Sequence, residues 1–554
     1  MKPPSACPAT EPAVFLSGLI GRAAFRAAFF LLTAFVPAAW AEPEASPPPE
    51  PAPVQQPSDT AKVSAPDRAG YVIRSITIDA QNVFNPQNPE ESGAVGRVGN
   101  SIHITTREQV VRWELLFKEG DPYNEELISE SERNLRKRSY LSEVIIESHF
   151  SDEDKMADII VHTRDQWSMI VGLTFGGTSE NSSAGLDIGD KNLLGMGQSL
   201  NYSFRTGTAG YSHNYGYRNS NLLGSRYDLW LENRLKSDEV LYTAQLDQPF
   251  YSLSTRDALG VGYTRTDHAE PGLAWTTWRS TGYYGQATIL EDFILRAYIR
   301  LSFGEEVSRE GVGSNNVLRD NKILIAADIL NHPYDFAEER YIDKFRRVED
   351  IPLGATYTFS VGPRLMAFGS TSTEVSTSLG VTKWRQFFER DYLYLSVALA
   401  KNDDNFNNAY ADLTLRYYLR RYEYQTFVAR FQSSYSESIN NRFKLGGTNG
   451  LRGYKVDEFV GRNQVLLNLE DRIFTYKTWL SGIFEPGFVL FADFGNTWND
   501  HEGDELKRLH SSVGAGLRLA LVKAPGVSLI RVDYGIPLET GRTPVLTIGM
   551  EGFF

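Results

Sequence analysis

A single cysteine in 554 residues, Cys7, leaves the chain without a disulfide framework. No stretch beyond the N-terminal region approaches the roughly 18–20 unbroken apolar residues that a membrane-crossing helix needs. Basic residues are in deficit, 56 Lys and Arg against 69 Asp and Glu, for a net charge of −13. Nucleic-acid binding calls for the opposite balance. The eight histidines, His103, His149, His162, His213, His268, His332, His501 and His510, are nowhere spaced as metal ligands. No G-x-S-x-G elbow occurs, and glycine pairs such as Gly446-Gly447 lack the strand-to-helix setting of a phosphate site. No metal, cofactor or catalytic activity is therefore expected. Only an inward or membrane-edge Ser/His pair in a barrel lipase would escape these filters.

What is present begins with an export signal. Arg22 and Arg26 precede an apolar core from Ala27 to Val36, and Ala39-Trp40-Ala41 offers a small-x-small cleavage site. Residues 1–41 read as a signal peptide. They carry Lys2, Arg22 and Arg26 against Glu11, and removing this +2 from −13 leaves −15. Residues 42–69 hold Pro43, Pro47, Pro48, Pro49, Pro51, Pro53, Pro57 and Pro66. Such a segment cannot bury a core and reads as an extended, semi-rigid tether.

Residues 70–166 read as a small α+β module. Ile73, Ile76 and Ile78 are interrupted by polar positions as in a strand, and 107–117 has helical spacing. After a turn at Gly120 and Pro122, Asn124 can cap a helix carrying Leu127, Ile128 and Leu135. Strands at 143–150 and 157–163 follow. A sheet edge left free by such a module could accept an extended peptide. The basic run Arg133, Arg136, Lys137 and Arg138 reads as a solvated helix face, or as a surface for anionic lipid or an acidic partner.

From Ser168 to the end the period is two. Val513, Ala515, Leu517 and Leu519 alternate with Gly514, Gly516 and Arg518, and Ile530, Val532 and Tyr534 with Arg531 and Asp533. A soluble sandwich would show the same alternation. Nearly 400 residues of strands without helices, joined by uneven loops, instead predict a barrel with one lipid face and one wet face. Leu546, Ile548 and Met550 alternate up to the terminal Phe554.

Lys444 to Tyr454 reads K-L-G-G-T-N-G-L-R-G-Y, with Arg452 among four glycines. A guanidinium in so tight a loop needs carboxylates. Glu470 shares a strand face with Asn468 and Arg472, and Asp493 shares one with Phe491 and Gly495, so both acids can point inward.

This constellation resembles the BamA/TamA-type outer-membrane family, in which POTRA modules precede a barrel. Leu451, Arg452, Gly453 and Tyr454 match the tip of that family's inward-folded sixth loop. Phe491, Asp493 and Gly495 match its F-x-D-x-G wall motif, and Glu470 its second acid. The strand-helix-helix-strand-strand order of 70–166 resembles a POTRA domain, most specifically over 117–144. The resemblance implies a mainly β fold, a transmembrane antiparallel barrel over 167–554 of 16 strands behind one POTRA domain. Our own reading yields about 20 segments, with the excess between roughly 300 and 440, where extracellular hairpins or a split strand are expected. Five strands are expected after the Arg452 loop and an odd number before it.

The resemblance further implies that Arg452, Glu470 and Asp493 lock the loop, that Leu546, Ile548, Met550 and Phe554 form an assembly signal, and that the seam opens sideways. Gly172 and Gly176 in the first strand and Gly549 and Gly552 in the last either weaken that seam or merely allow curvature. It implies insertion of proteins into, or transport across, a bacterial outer membrane, with the POTRA domain in the periplasm. The implied partners are outer-membrane lipids, unfolded outer-membrane or secreted clients, and periplasmic chaperones or lipoproteins, around a monomeric barrel. A single module departs from the several carried by general insertases and favours a specialised factor. The competing class is a passive channel or structural barrel without clients.

Overall fold

The computed structural model describes residues 68, 70–177, 182–207, 210–270, 273–310, 314–401, 409–437, 442–499, 508–524 and 529–550. The signal segment 1–41, the tether up to 67, Gly552 and Phe554 lie outside them.

The N-terminal module is a three-stranded sheet under helices. β1 (Val72–Gln81) pairs in parallel with β3 (Met156–Asp165), and β3 pairs antiparallel with β2 (Leu141–Ser151), so β2 is an edge strand. Between β1 and β2 lie α1 (Ala94–Ile102), α2 (Glu108–Glu114) and α3 (Glu125–Arg136). Asn124 caps α3 through its side-chain oxygen, which accepts from the amides of Glu126 and Leu127. Ile128 and Leu135 pack with Ile73, Val111, Ile159 and Val161 in the core. The sequence pattern missed α1. Two glycines make it a poor helix former, but Gly96 and Gly99 let it lie directly on Phe84.

The remaining strands close into a barrel of 20 among the described residues, from Met169–Gly177 to Val545–Met550. This corrects the expected 16. Phe293–Glu310, Ser314–Asn331, Ala355–Arg364, Glu374–Phe388, Asp391–Lys401, Tyr410–Tyr422 and Gln425–Ser436 form successive ladders of the ring, not projecting hairpins. Lipid leaves no alternative partner for their backbone groups. Fifteen ring strands precede the Arg452 loop and five follow it. The outward face is apolar and open, as at Leu259, Val261 and Tyr263 or at Ile299, Leu301 and Phe303. Inward positions hold Asn468, Glu470, Asp493, Arg518 and Asp533, all buried. Strand length is uneven. Phe293–Glu310 and Ser314–Asn331 have 18 residues each, whereas the described first and last strands have 9 and 6.

Two short hairpins stand apart from the ring. Phe443–Leu445 pairs with Phe459–Gly461 and carries the Arg452 loop between its arms. Phe336–Glu339 pairs with Glu349–Pro352 at the opposite, module-side end.

Candidate functional site

The Arg452 loop is built to reach the barrel wall. Gly453 has φ of +100°, a conformation that favours glycine. It crosses the backbone of Gly535 so closely that a Cβ on Gly535 would stand 2.4 Å from Gly453 N. Leu451, Tyr454, Leu445 and Leu466 form a small core behind the tip. The Tyr454 hydroxyl donates to the carbonyl of Ser511 at 2.9 Å. A Cβ on Gly495 would meet Leu445 and Leu466, so the wall is cut away there.

The Arg452 side chain is 0% exposed. Its Nε donates to Asp493 Oδ2 at 2.9 Å and its Nη2 to Asp493 Oδ1 at 2.8 Å, a bidentate pair. Its backbone amide donates to the same carboxylate at 3.0 Å. Nη1 donates to Glu470 Oε1, and the guanidinium lies 3.7 Å from the centre of the Phe491 ring. Asn468 Nδ2 donates to both Asp493 and the carbonyl of Gly450, each at 2.7 Å. Both predicted acids thus meet the predicted arginine in a dry setting where its charge is met by carboxylates.

Residues 382–545 match the Omp85 superfamily domain, and residues 98–164 match the surface antigen variable number repeat, a POTRA module. Two parts of the chain thus match known domains, a POTRA repeat ahead of an Omp85 superfamily domain. A protein of Treponema pallidum (strain Nichols) named as an outer membrane protein assembly factor is 29% identical over 126 residues. That match covers 22% of this chain and only 15% of the relative's length. BamA from Haemophilus ducreyi lacking POTRA domains 1–3 aligns over 87% of this chain and 84% of its own, at 14% identity and a TM-score of 0.37. CdiB from Acinetobacter baumannii aligns over 87% and 73%, at 12% identity and a TM-score of 0.40. The domains indicate a protein of the bacterial outer membrane.

The barrel has a second inward segment that the sequence reading missed. Between Phe336–Glu339 and Glu349–Pro352, the chain folds against the lumen wall. The Glu349 carboxylate accepts from the amides of Ile342, Asp343 and Lys344 and fixes the tip. Tyr392 donates to Glu339 at 2.7 Å, and Arg420 also binds Glu339. Thr426 donates to the carbonyl of Tyr341 at 2.6 Å. Phe345 packs over Gly487 and against the ring of Phe474. Arg472 Nη1 donates to Asp343 Oδ1 and to the carbonyl of Ile342, both at 2.9 Å.

The same hairpin is held by the POTRA module. Arg136 of α3 is 8% exposed and binds Asp350 and Glu338, with Nε to Asp350 Oδ2 at 3.1 Å. Arg133 lies over the Phe336 ring, and Arg347 donates to the carbonyls of Arg136 and Arg138. Arg138 pairs with Glu114 at 2.7 Å. Much of the basic run is therefore not a solvated face: its acidic partner belongs to the same chain. The signal lay in the acids Asp335, Glu338, Glu339, Asp343, Glu349 and Asp350, which follow no strand or helix period.

The seam glycines sit as follows. Gly172 and Gly176 lie opposite Asp187 and Ser183, and Gly549 lies opposite Arg531, whose Nε a Cβ there would approach to 2.8 Å. The first and last strands are neighbours in the ring. Leu546 and Ile548 face outward and open, and Met550 pairs with Ile530.

Proposed function

We propose that this protein inserts polypeptides into the outer membrane or passes them across it. The module lies in the periplasm and offers the outer edge of β2 to an extended client by strand addition. The seam between the first and last strands opens sideways and templates client strands, while the Arg452 loop braces the lumen. The mechanism is non-covalent, requires no cofactor, and runs in a monomeric barrel among outer-membrane lipids. Unfolded outer-membrane or secreted polypeptides are the clients, with periplasmic chaperones or lipoproteins as helpers.

The observation that carries this reading is the fully buried ion cluster of Arg452, Asp493 and Glu470 inside a barrel that follows a module with an unpaired edge strand. A passive channel would have little use for inward segments entering from both ends. The test is quantitative proteomics of outer membrane and medium after depletion of the protein. Broad loss of barrel proteins would indicate an insertase, and loss of one or two secreted or surface proteins a dedicated exporter. No change, together with a narrow conductance insensitive to Arg452→Ala, would overturn the reading in favour of a channel.

A further inference from the structure

Helix α1 is amphipathic in an unusual sense: its second face is apolar and open. At about 100° per residue, Val95, Val98 and Ile102 fall within about 60° of one another. They are 49%, 61% and 58% exposed. Gly96 and Gly99 face the protein, while Arg97 projects on the polar side. Three aligned aliphatic side chains open to solvent ask for an occupant.

The position of the helix says which. Its leading segment is tied to the barrel on one side of the seam. Lys523, just past the strand His510–Leu521, donates to Glu91 and to the carbonyl of Val83, both at 3.1 Å. Its trailing segment is tied on the other side. Arg107 N donates to the carbonyl of Gly195, and a Cβ on Gly195 would meet Thr105 O at 2.4 Å and Ile104 Cγ2 at 3.4 Å. Gly195 ends the turn after the strand Ser182–Asp190. Between these two ties the ring of the described residues contains four strands, Leu529–Pro537 and Val545–Met550 on one side of the seam and Met169–Gly177 and Ser182–Asp190 on the other. The helix therefore crosses under the junction of first and last strands.

The apolar face is also continuous with the barrel's outer belt. Ile104 is exposed beside Gly195, Leu194 of the same turn is exposed, and Leu200 and Val171 carry the open apolar surface onto the wall. We propose that α1 and Ile104 rest on the module-side lipid leaflet beneath the seam, with Val95, Val98 and Ile102 dipped into the acyl boundary. Arg97 and Arg107 stand exposed nearby, where headgroup phosphates would meet them. The helix then joins both banks of the seam to the membrane itself. This rests on the reading of the ring as a membrane-spanning barrel.

The test uses the full chain in vesicles of phosphatidylethanolamine and phosphatidylglycerol. Single cysteines at Val98→Cys and Ile102→Cys, with Cys7 replaced where retained, carry an environment-sensitive dye. Val171→Cys in the belt and Arg97→Cys on the polar side are the references. Acyl-chain bromine should quench most of the emission at 98, 102 and 171 and little at 97, with iodide in water giving the reverse order. Quenching at 171 but not at 98 and 102 would overturn the proposal and leave the face to water or protein. No quenching at 171 would sink the spanning barrel and the proposal with it.

Discussion

Arg452 and Arg472 share one carboxylate, each taking a different oxygen of Glu470. Arg452 belongs to the loop at one end of the lumen. Arg472 passes the contact on to Asp343 of the hairpin at the other. That hairpin is in turn held by Arg136 of the POTRA module. Ion pairs on either side of the hairpin, linked through its own backbone and the Glu349 hydrogen bonds, thus join α3 of the module to the loop lock.

Arg452→Ala should release the loop while the ring stays folded. Asp493 and Glu470 would be left buried without their shared cation, at a cost of roughly 3–5 kcal/mol. Limited proteolysis should cut between 443 and 461 much faster, with the heat-modifiable mobility of the barrel unchanged. Unaltered cleavage would disprove the lock.

Gly535→Ala should produce a similar release with Arg452 intact. A Cβ there would stand 2.4 Å from Gly453 N and 2.7 Å from Arg452 C, so the tip must lift off the wall. The same proteolysis assay decides it. A wild-type pattern would mean that the loop tip tolerates a shift without losing Asp493.

Arg136→Ala should loosen the hairpin from the module by about 1–3 kcal/mol, with the module still folded because its core does not include Arg136. The charge swap Arg136→Asp with Asp350→Arg should restore part of the loss. Hydrogen exchange over 336–352 reads both. Equal protection in all three proteins would mean that the contact carries no coupling.

Hairpin docking should weaken from acid to neutral pH. Burial, then the charge of Asp343, push the Glu349 carboxyl up from its ordinary 4.5 to about 7. The docked hairpin therefore keeps a proton that a released one gives up. Docking is tightest at and below pH 4.5, weakens up to about 7 and is level beyond. Glu349→Gln should flatten this dependence. Hydrogen exchange of 336–352 between pH 5 and 8, corrected for intrinsic rates, would refute it if wild type and variant ran in parallel.

The loop site was legible because its signals are local. Parity alone puts Glu470 on the face of Asn468 and Arg472, and Asp493 on that of Phe491. Asn124 declared the start of α3 in the same way. The second hairpin was not legible. Residues 332–352 are dense in charge and carry no regular period, and their partners Tyr392, Tyr418, Thr426 and Arg472 sit on four different strands. No periodicity in one segment reports such a meeting. The ring size was readable from the segments themselves. The family count misled because strand number is a property of the closed ladder, not of the loop motif.

Unequal strands give the barrel an uneven height. At about 3.4 Å per residue, the 18-residue strands run roughly 60 Å, and a tilt near 45° leaves some 40 Å of height. By the same measure the described 9 and 6 residues of the first and last strands rise only about 14–22 Å, within an apolar band of about 25 Å. The end of the ring away from the module therefore has a parapet on one side and a low sill on the other. A large particle approaching that end would touch the parapet first, leaving the sill where the first strand meets the last in its shelter.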